Sequence, residues 1–451
     1  MPRRQSPFNL DQRKALQQAS TEAIANTLGN TRRHFASSCW LEAGNPYLID
    51  CIDTLRQPGH SINRAALSEY ISISASLHCS DGWSFLGRAL DACSRSDVTT
   101  CVHLAYYAEL RAAMSLLATE GIGIFNDRHF VVTALNRCKQ IGRRGRRLGT
   151  HQIAWFALEY WATLQKSSKL LRQVIKPGGI PMGTWLDAFG ASTTSRVIAT
   201  KWLRTWGLDL KQFSEGTDRT ARNQASYRPT RIYARPNINT IEITEFIRNL
   251  WKSFEPQPNT RFEILDRYLL RLSIEKAYDA KHPSTRRYFD AEVSLMLKTV
   301  IGDAPLVEEW KQFFTKAISP QDLMIITEAS KITASTDPRY HLQILSRANL
   351  LLRVATGACA KLFAECSFGR TELEFWWKPF GEERGLWNTG DDPSEFMDLW
   401  NDIDDAVNKL DGWESANRGS IPTNMTWKND LQHEISVLGE CERIALWGLG
   451  L

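Results

Sequence analysis

The sequence predicts a mainly α protein made of two helical bundle domains, and three observations carry that expectation. Apolar residues return at three- and four-residue intervals through most of the chain, the spacing that puts them on one face of a helix. The 451 residues exceed the roughly 250–300 over which a single hydrophobic core grows. Over 214–239 the period fails, and Gly216, Ser226, Pro229 and Pro236 collect there among arginines, as in a connector.

Residues 1–64 read as an N-terminal helical extension, and 65–213 as a helical domain with a basic face. The apolar period runs over 65–77 and again over 83–93. Residues 103–118 are rich in Ala and Leu, strong helix formers, and the run closes at Gly121, a C-cap residue that accepts a left-handed backbone. Another helix is expected from Thr150, whose hydroxyl can cap free backbone N–H groups. Ile153, Ala154, Ala157, Leu158 and Trp161 line one of its faces, and Trp155 and Tyr160 broaden that face.

Residues 214–240 form the arginine-rich connector, with 231–234 a candidate short strand. A C-terminal helical domain with an acidic segment is expected over 241–451, periodic at 269–277 and 291–300. Ser319-Pro320-Gln321-Asp322 and Asp392-Pro393-Ser394-Glu395 each set a capping side chain before a proline, with an acid in the first turn. Residues 341–366 read as the central helix of that domain. Arg347 and Arg353 lie six positions apart on it and so point to different sides.

Hydrophobic residues make up 43% and charged residues 23%, which excludes wholesale disorder, collagen and coiled-coil architectures. Sixteen tryptophans are expected in cores or at an interface. The most apolar stretch, 350–363, carries Arg353 and Lys361 and falls short of the roughly 18 uncharged residues of a membrane span. The basic N-terminus has no apolar segment after it, so no secretory signal is expected. Nine scattered cysteines without a Cys-x-x-Cys pair read as reduced thiols of a cytoplasmic protein.

The net charge of +5 hides an asymmetry. Residues 138–235 hold 18 Lys and Arg against 5 Asp and Glu, whereas 372–414 hold 13 acids against 3 bases. A basic middle beside an acidic segment points to a polyanion-binding face, or to mutual neutralisation across a domain or subunit contact.

The sharpest cluster is Arg143-Arg144-Gly145-Arg146-Arg147-Leu148-Gly149-Thr150-His151, a basic turn running into a helix start. Arg and His so placed suit RNA cleavage without a metal. Neutral imidazole takes a proton from a ribose 2′-hydroxyl, and a guanidinium holds the charge growing on the phosphorane oxygens. A helix N-terminus also disfavours imidazolium. Arg143 and Arg147 would engage flanking phosphates. In the connector Arg219, Arg222, Arg228, Arg231 and Arg235 interleave with Tyr227 and Tyr233, a pattern that can grip single-stranded nucleic acid by phosphate contact and base stacking.

With Tyr106-Tyr107-Ala108, Ala112-Ala113, Leu116-Leu117 and Gly121 on an earlier helix, residues 65–165 resemble the HEPN superfamily of small helical-bundle domains. The resemblance implies a HEPN-like N-terminal bundle, in which ribonuclease members carry an Arg, four to six residues and His at the start of a late helix. By it Arg146 and His151 would be the catalytic pair, with Arg144 the substitute arginine. It further implies dimers whose Arg/His sets share a cleft, in bacterial phage-defence or toxin-like systems.

Other chemistry finds little support. His78-Cys79, Cys101 and His103 lack tetrahedral zinc spacing, His433-Glu434 lacks the second histidine of a zinc-protease helix, and no metal or cofactor is expected. Gly121-Ile122-Gly123 and Gly178-Gly179 are not followed by Gly-Lys-Ser or Gly-Lys-Thr, and no Gly-x-Ser-x-Gly elbow occurs. Arg339-Tyr340-His341 reads as a helix start and Trp376-Trp377 as a core or interface anchor. The expected partners are RNA or single-stranded nucleic acid and a protein partner or second copy, with no membrane. The alternative is a non-catalytic scaffold subunit of a complex whose chemistry lies in a partner.

Overall fold

The computed structural model describes residues 8–135, 137–142, 148–191, 198–227, 240–257, 260–302, 306–317, 319, 322, 324–417 and 424–451. It is predominantly helical. In chain order come α1 (Leu10–Gln17), α2 (Thr21–Thr31), α3 (Cys51–Arg56), α4 (Arg64–Ser94) and α5 (Val98–Thr119). Three strands follow, β1 (Ile122–Phe125), β2 (Arg128–Ala134) and β3 (Arg137–Ile141). The middle of the chain supplies α6 (Thr150–Ala162), α7 (Gln165–Val174), α8 (Met182–Ala188), α9 (Ile198–Thr205), α10 (Leu210–Glu215) and α11 (Thr217–Tyr227). Then come α12 (Thr240–Phe254), α13 (Glu263–Lys281), α14 (Phe289–Ile301), α15 (Leu306–Thr315), α16 (Met324–Ser330) and α17 (Tyr340–Glu365). The chain closes with α18 (Glu374–Arg384), α19 (Phe396–Ala416), α20 (Asn424–Asp430), α21 (Gln432–Leu438) and α22 (Glu442–Leu449).

The two periodic stretches at 65–77 and 83–93 are one continuous helix, α4, started by Asn63, whose side chain accepts from the Ala66 N–H. Asp97 caps α5 in the same way through the Thr100 N–H. Gly121 stands just past α5 with φ +83°, as a C-cap glycine should. At α6 the expectation needs correcting: Gly149 is the N-cap, no side chain caps the helix, and Thr150 is its first residue. At α19 the cap is Glu395 paired with Asp398 rather than Asp392.

The small antiparallel sheet, in order β1-β2-β3, was not anticipated. Ile122 pairs with Val131 and Phe125 with Arg128, across a turn that holds Asn126 at φ +42°. Strands of four to seven residues are too short for a period of two to stand out beside long helices.

The connector is also different from the expectation. Its first half is helix α11, which buries Asp218, Ala221 and Ala225 against α5. Only small alanines and an ion-paired acid make that face, so no apolar stripe marked it. Arg228, Arg231, Tyr233 and Arg235 lie outside the described residues, with the candidate strand at 231–234.

Residues before 214 and after 240 pack against each other. Buried residues from both halves belong to one hydrophobic core, and α17 lies along α4 and α5. Trp83 Nε1 on α4 donates to Thr356 Oγ1 on α17 at 2.9 Å. A helix of 26 residues buried on nearly every side needs neighbours all around, and the N-terminal half supplies them. Arg347 and Arg353 do point to different sides: Arg347 reaches Glu109 and Asp218, while Arg353 pairs with Asp266 and donates to the Val174 carbonyl.

Backbones meet where α4 approaches the end of α21. A Cβ on Gly87 would collide with the Gly439 carbonyl oxygen. Two backbones cannot rotate out of the way, so Gly87→Ala is expected to lose about 1–3 kcal/mol by overpacking. Urea unfolding measures this, and an unchanged midpoint would mean that the two helices pass further apart.

Candidate functional site

The site forms where α5, α6 and α11 meet. His129 on β2 holds the approach to α6: its Nε2–H donates to the Leu148 carbonyl at 3.0 Å, and its Nδ1 accepts from the Phe125 N–H. Burial pushes the His129 imidazole down to about 4, so it stays neutral and can fill both roles. On the far side Phe213 of α10 stacks on Trp155 of α6, with ring centres 4.7 Å apart. Gly216, at φ +84°, then turns the chain directly into α11.

His151 occupies the first turn of α6, half-buried. Its Nδ1 lies 3.1 Å from the Tyr106 hydroxyl and its Nε2 3.2 Å from Nη2 of Arg222. A guanidinium can only donate, so Nε2 accepts, the ring proton sits on Nδ1, and Nδ1–H donates to Tyr106. The Arg222 guanidinium spreads over the rings of Tyr106 and Tyr107, 5.3 and 5.4 Å from their centres. Its Nε is buried without a hydrogen-bond partner among the described residues. Beside it, His103 Nδ1 lies 2.7 Å from the Ser226 hydroxyl.

Charge and burial act on His151 in the same direction. Burial first, then Arg222 and Arg219, push its imidazole down to about 4. The same burial and Arg222 lower His103. The cluster therefore sets two guanidinium charges beside neutral imidazoles, with His151, Arg219 and Arg222 half-buried.

Of the residues expected here, His151, Arg219 and Arg222 come together. Arg143, Arg144, Arg146 and Arg147 lie outside the described residues. Among the described residues the arginine hydrogen-bonded to the imidazole is Arg222, 71 positions away in sequence, one of the connector arginines expected to contact phosphate. Tyr106 and Tyr107 carried a signal as an adjacent pair on a helix. His103 and Ser226 carried none, because nothing local links them.

The remaining candidates have structural partners. Arg339 pairs with Glu242 and Glu328 at the start of α17, and Trp377 is buried with its indole N–H on the Arg370 carbonyl. The acidic segment is partly neutralised from within the C-terminal half: Asp411 and Glu414 meet Arg248, and Asp402 meets Arg443. All nine cysteines are free thiols. Among the described residues no group of three or more His, Cys, Asp or Glu could hold a metal ion, and no helix is long and apolar enough to cross a membrane. Comparison with protein-family models, curated proteins and solved structures finds no match to this chain.

Proposed function

We propose that the protein binds RNA and cleaves it without a metal ion at the His151 site, within a HEPN-like arrangement of α4, α5 and α6. The observation that carries this is a neutral imidazole held between the Tyr106 hydroxyl and the Arg222 guanidinium. An RNA phosphate competes for Arg222 and draws it from Nε2. That lone pair then takes the proton of the adjacent 2′-hydroxyl. The 2′-oxygen attacks phosphorus, the 5′-oxygen leaves with a proton from solvent, and the ends are a 2′,3′-cyclic phosphate and a 5′-hydroxyl. Arg222 and Arg219 face the charge that builds on the phosphorane. Arg146, or Arg144 in its place, would add a cation from the residues that precede α6 in sequence, with Arg143 and Arg147 on flanking phosphates.

A base near 4 is weak at neutral pH. Bound phosphate offsets the two guanidinium charges that depress His151, so the imidazole titrates higher in the complex than in the free protein. Arg222→Ala should have the same sign of effect. Removing a neighbouring cation favours imidazolium and raises the His151 titration above about 4, while cleavage falls by about 10²–10³. NMR titration of the His151 ring checks the first part, and an unmoved midpoint would remove Arg222 from the site. The overall test is release of cyclic-phosphate ends from single-stranded RNA in EDTA.

One observation favours a second reading as an interaction subunit. Leu48, Ile49 and Ile52 are exposed apolar side chains within five positions, and such a patch suits a protein partner. An interaction subunit would leave RNA intact in that assay and lose its partner when Ile49 is made polar.

A further inference from the structure

Most residues where α4 and α5 face each other are buried, but one strip is only half-buried: His78, Asp81 and Phe85 on α4, with Tyr107 and Arg111 on α5. It begins at the His151 site, since Tyr107 lies beside the His151 ring and under Arg222. Phe85 stacks on Tyr107, with ring centres 5.4 Å apart and planes 26° from parallel. Arg111 follows one helical turn, about 5.4 Å, further along α5. There Arg111 Nη1 donates to His78 Nδ1 at 2.8 Å. His78 is held neutral by burial and by Arg111, pushed down to about 3, so its proton sits on Nε2 and that N–H remains a donor. Asp81 lies 3.6 Å from Arg111, and Arg384 of α18 and Arg88 act on the same carboxylate. Cations outnumber the one acid.

We propose that this strip extends the His151 site into a track for single-stranded RNA. Arg111 and the Nε2–H of His78 form a second phosphate subsite, and Phe85 with Tyr107 offers the stacking surface between the two. Alternating guanidinium and aromatic groups along one half-buried strip are what a polyanion with flat bases requires, and stacking needs no particular base. The inference rests on RNA as the ligand of the His151 site. Asp81 is the built-in brake: it competes with phosphate for Arg111 and repels the backbone.

The probes are fluorescent 2′-O-methyl RNA oligonucleotides, which lack the nucleophile and cannot be cleaved, of about 4 and about 12 nucleotides, within the range one strand-binding surface covers. Anisotropy titrations are expected to show tighter binding of the longer strand by the wild-type protein. Arg111→Ala weakens the longer strand by about tenfold, lowers its salt dependence by the equivalent of about one phosphate contact, and leaves the shorter strand unchanged. Asp81→Asn, nearly isosteric, tightens the longer strand. Equal binding by wild type and Arg111→Ala, or weaker binding by Asp81→Asn, overturns the track. If Arg222→Ala still weakens both lengths, the His151 site stands and only its extension falls. If the wild-type protein binds neither length, both fall together.

Discussion

His151→Ala is expected to lower metal-free RNA cleavage by about 10²–10⁴-fold, the usual contribution of a positioned general base. The substitution removes the lone pair that accepts the 2′-hydroxyl proton and leaves Tyr106 and Arg222 in place. It should spare the fold, because His151 is only half-buried in the first turn of α6 and Ala is a better helix former. Cleavage is followed with purified protein in EDTA, beside a thermal melt of each variant. The pH profile adds a second readout. Protonated His151 cannot act as a base, so kcat/KM should fall on the acid side near the free-protein value of about 4. The acid limb of kcat should stand at higher pH, because bound phosphate offsets Arg222 and Arg219. Wild-type protein that leaves RNA intact would sink the proposal, and so would a His151→Ala variant that cuts as fast as wild type.

The largest effect on stability is expected at Arg347, whose side chain is 0% exposed. It bridges Asp218 on α11, at 2.7 Å, and Glu109 on α5, at 3.3 Å, while Tyr340 donates its hydroxyl to Asp218. Such a pair contributes little net stability when complete, but removing one partner leaves uncompensated buried charge. Arg347→Met should therefore cost about 3–5 kcal/mol. Burial, then Asp218, already holds Glu109 well above the ordinary carboxylate range, against the pull of Arg347. Without Arg347 that carboxyl rises further. A folded-state pKa above the unfolded one gives stability that is present at low pH and lost as pH rises through the folded value. The gap between variant and wild type should thus be smaller at pH 5 than at pH 8. Urea unfolding at both values tests this. Adding Glu109→Gln to Arg347→Met should recover part of the loss. A variant within about 1 kcal/mol of wild type at pH 8 would show that the network is wetter than drawn. The same contact bears on the site, because Asp218 lies one helical turn before Arg222 on α11.

Much of the helical framework was legible in the sequence. α4, α5, α6, α13, α14 and α17 each carry an apolar period long enough to identify them, and His151 at a helix start could be read from Gly149-Thr150-His151. Arg347 and Arg353 could be assigned to different sides from their spacing alone. Helical periodicity is a property of neighbours three and four positions apart, so a local reading captures it. The packing could not be read this way. α11 buries an ion pair and two alanines, which leave no periodic stripe, and the strands are too short for theirs to show. The single core shared by α4, α5 and α17 joins residues more than 200 positions apart, as in the bond between Arg347 and Glu109. Arg222 illustrates the limit most sharply. Its type and charge were evident, but its place on the His151 imidazole depends on α10 stacking on α6 and turning at Gly216. Local residue order determined which groups this protein has and which helices carry them. Tertiary packing alone decided which arginine meets which histidine, because that distance is set by how the helices lie against one another.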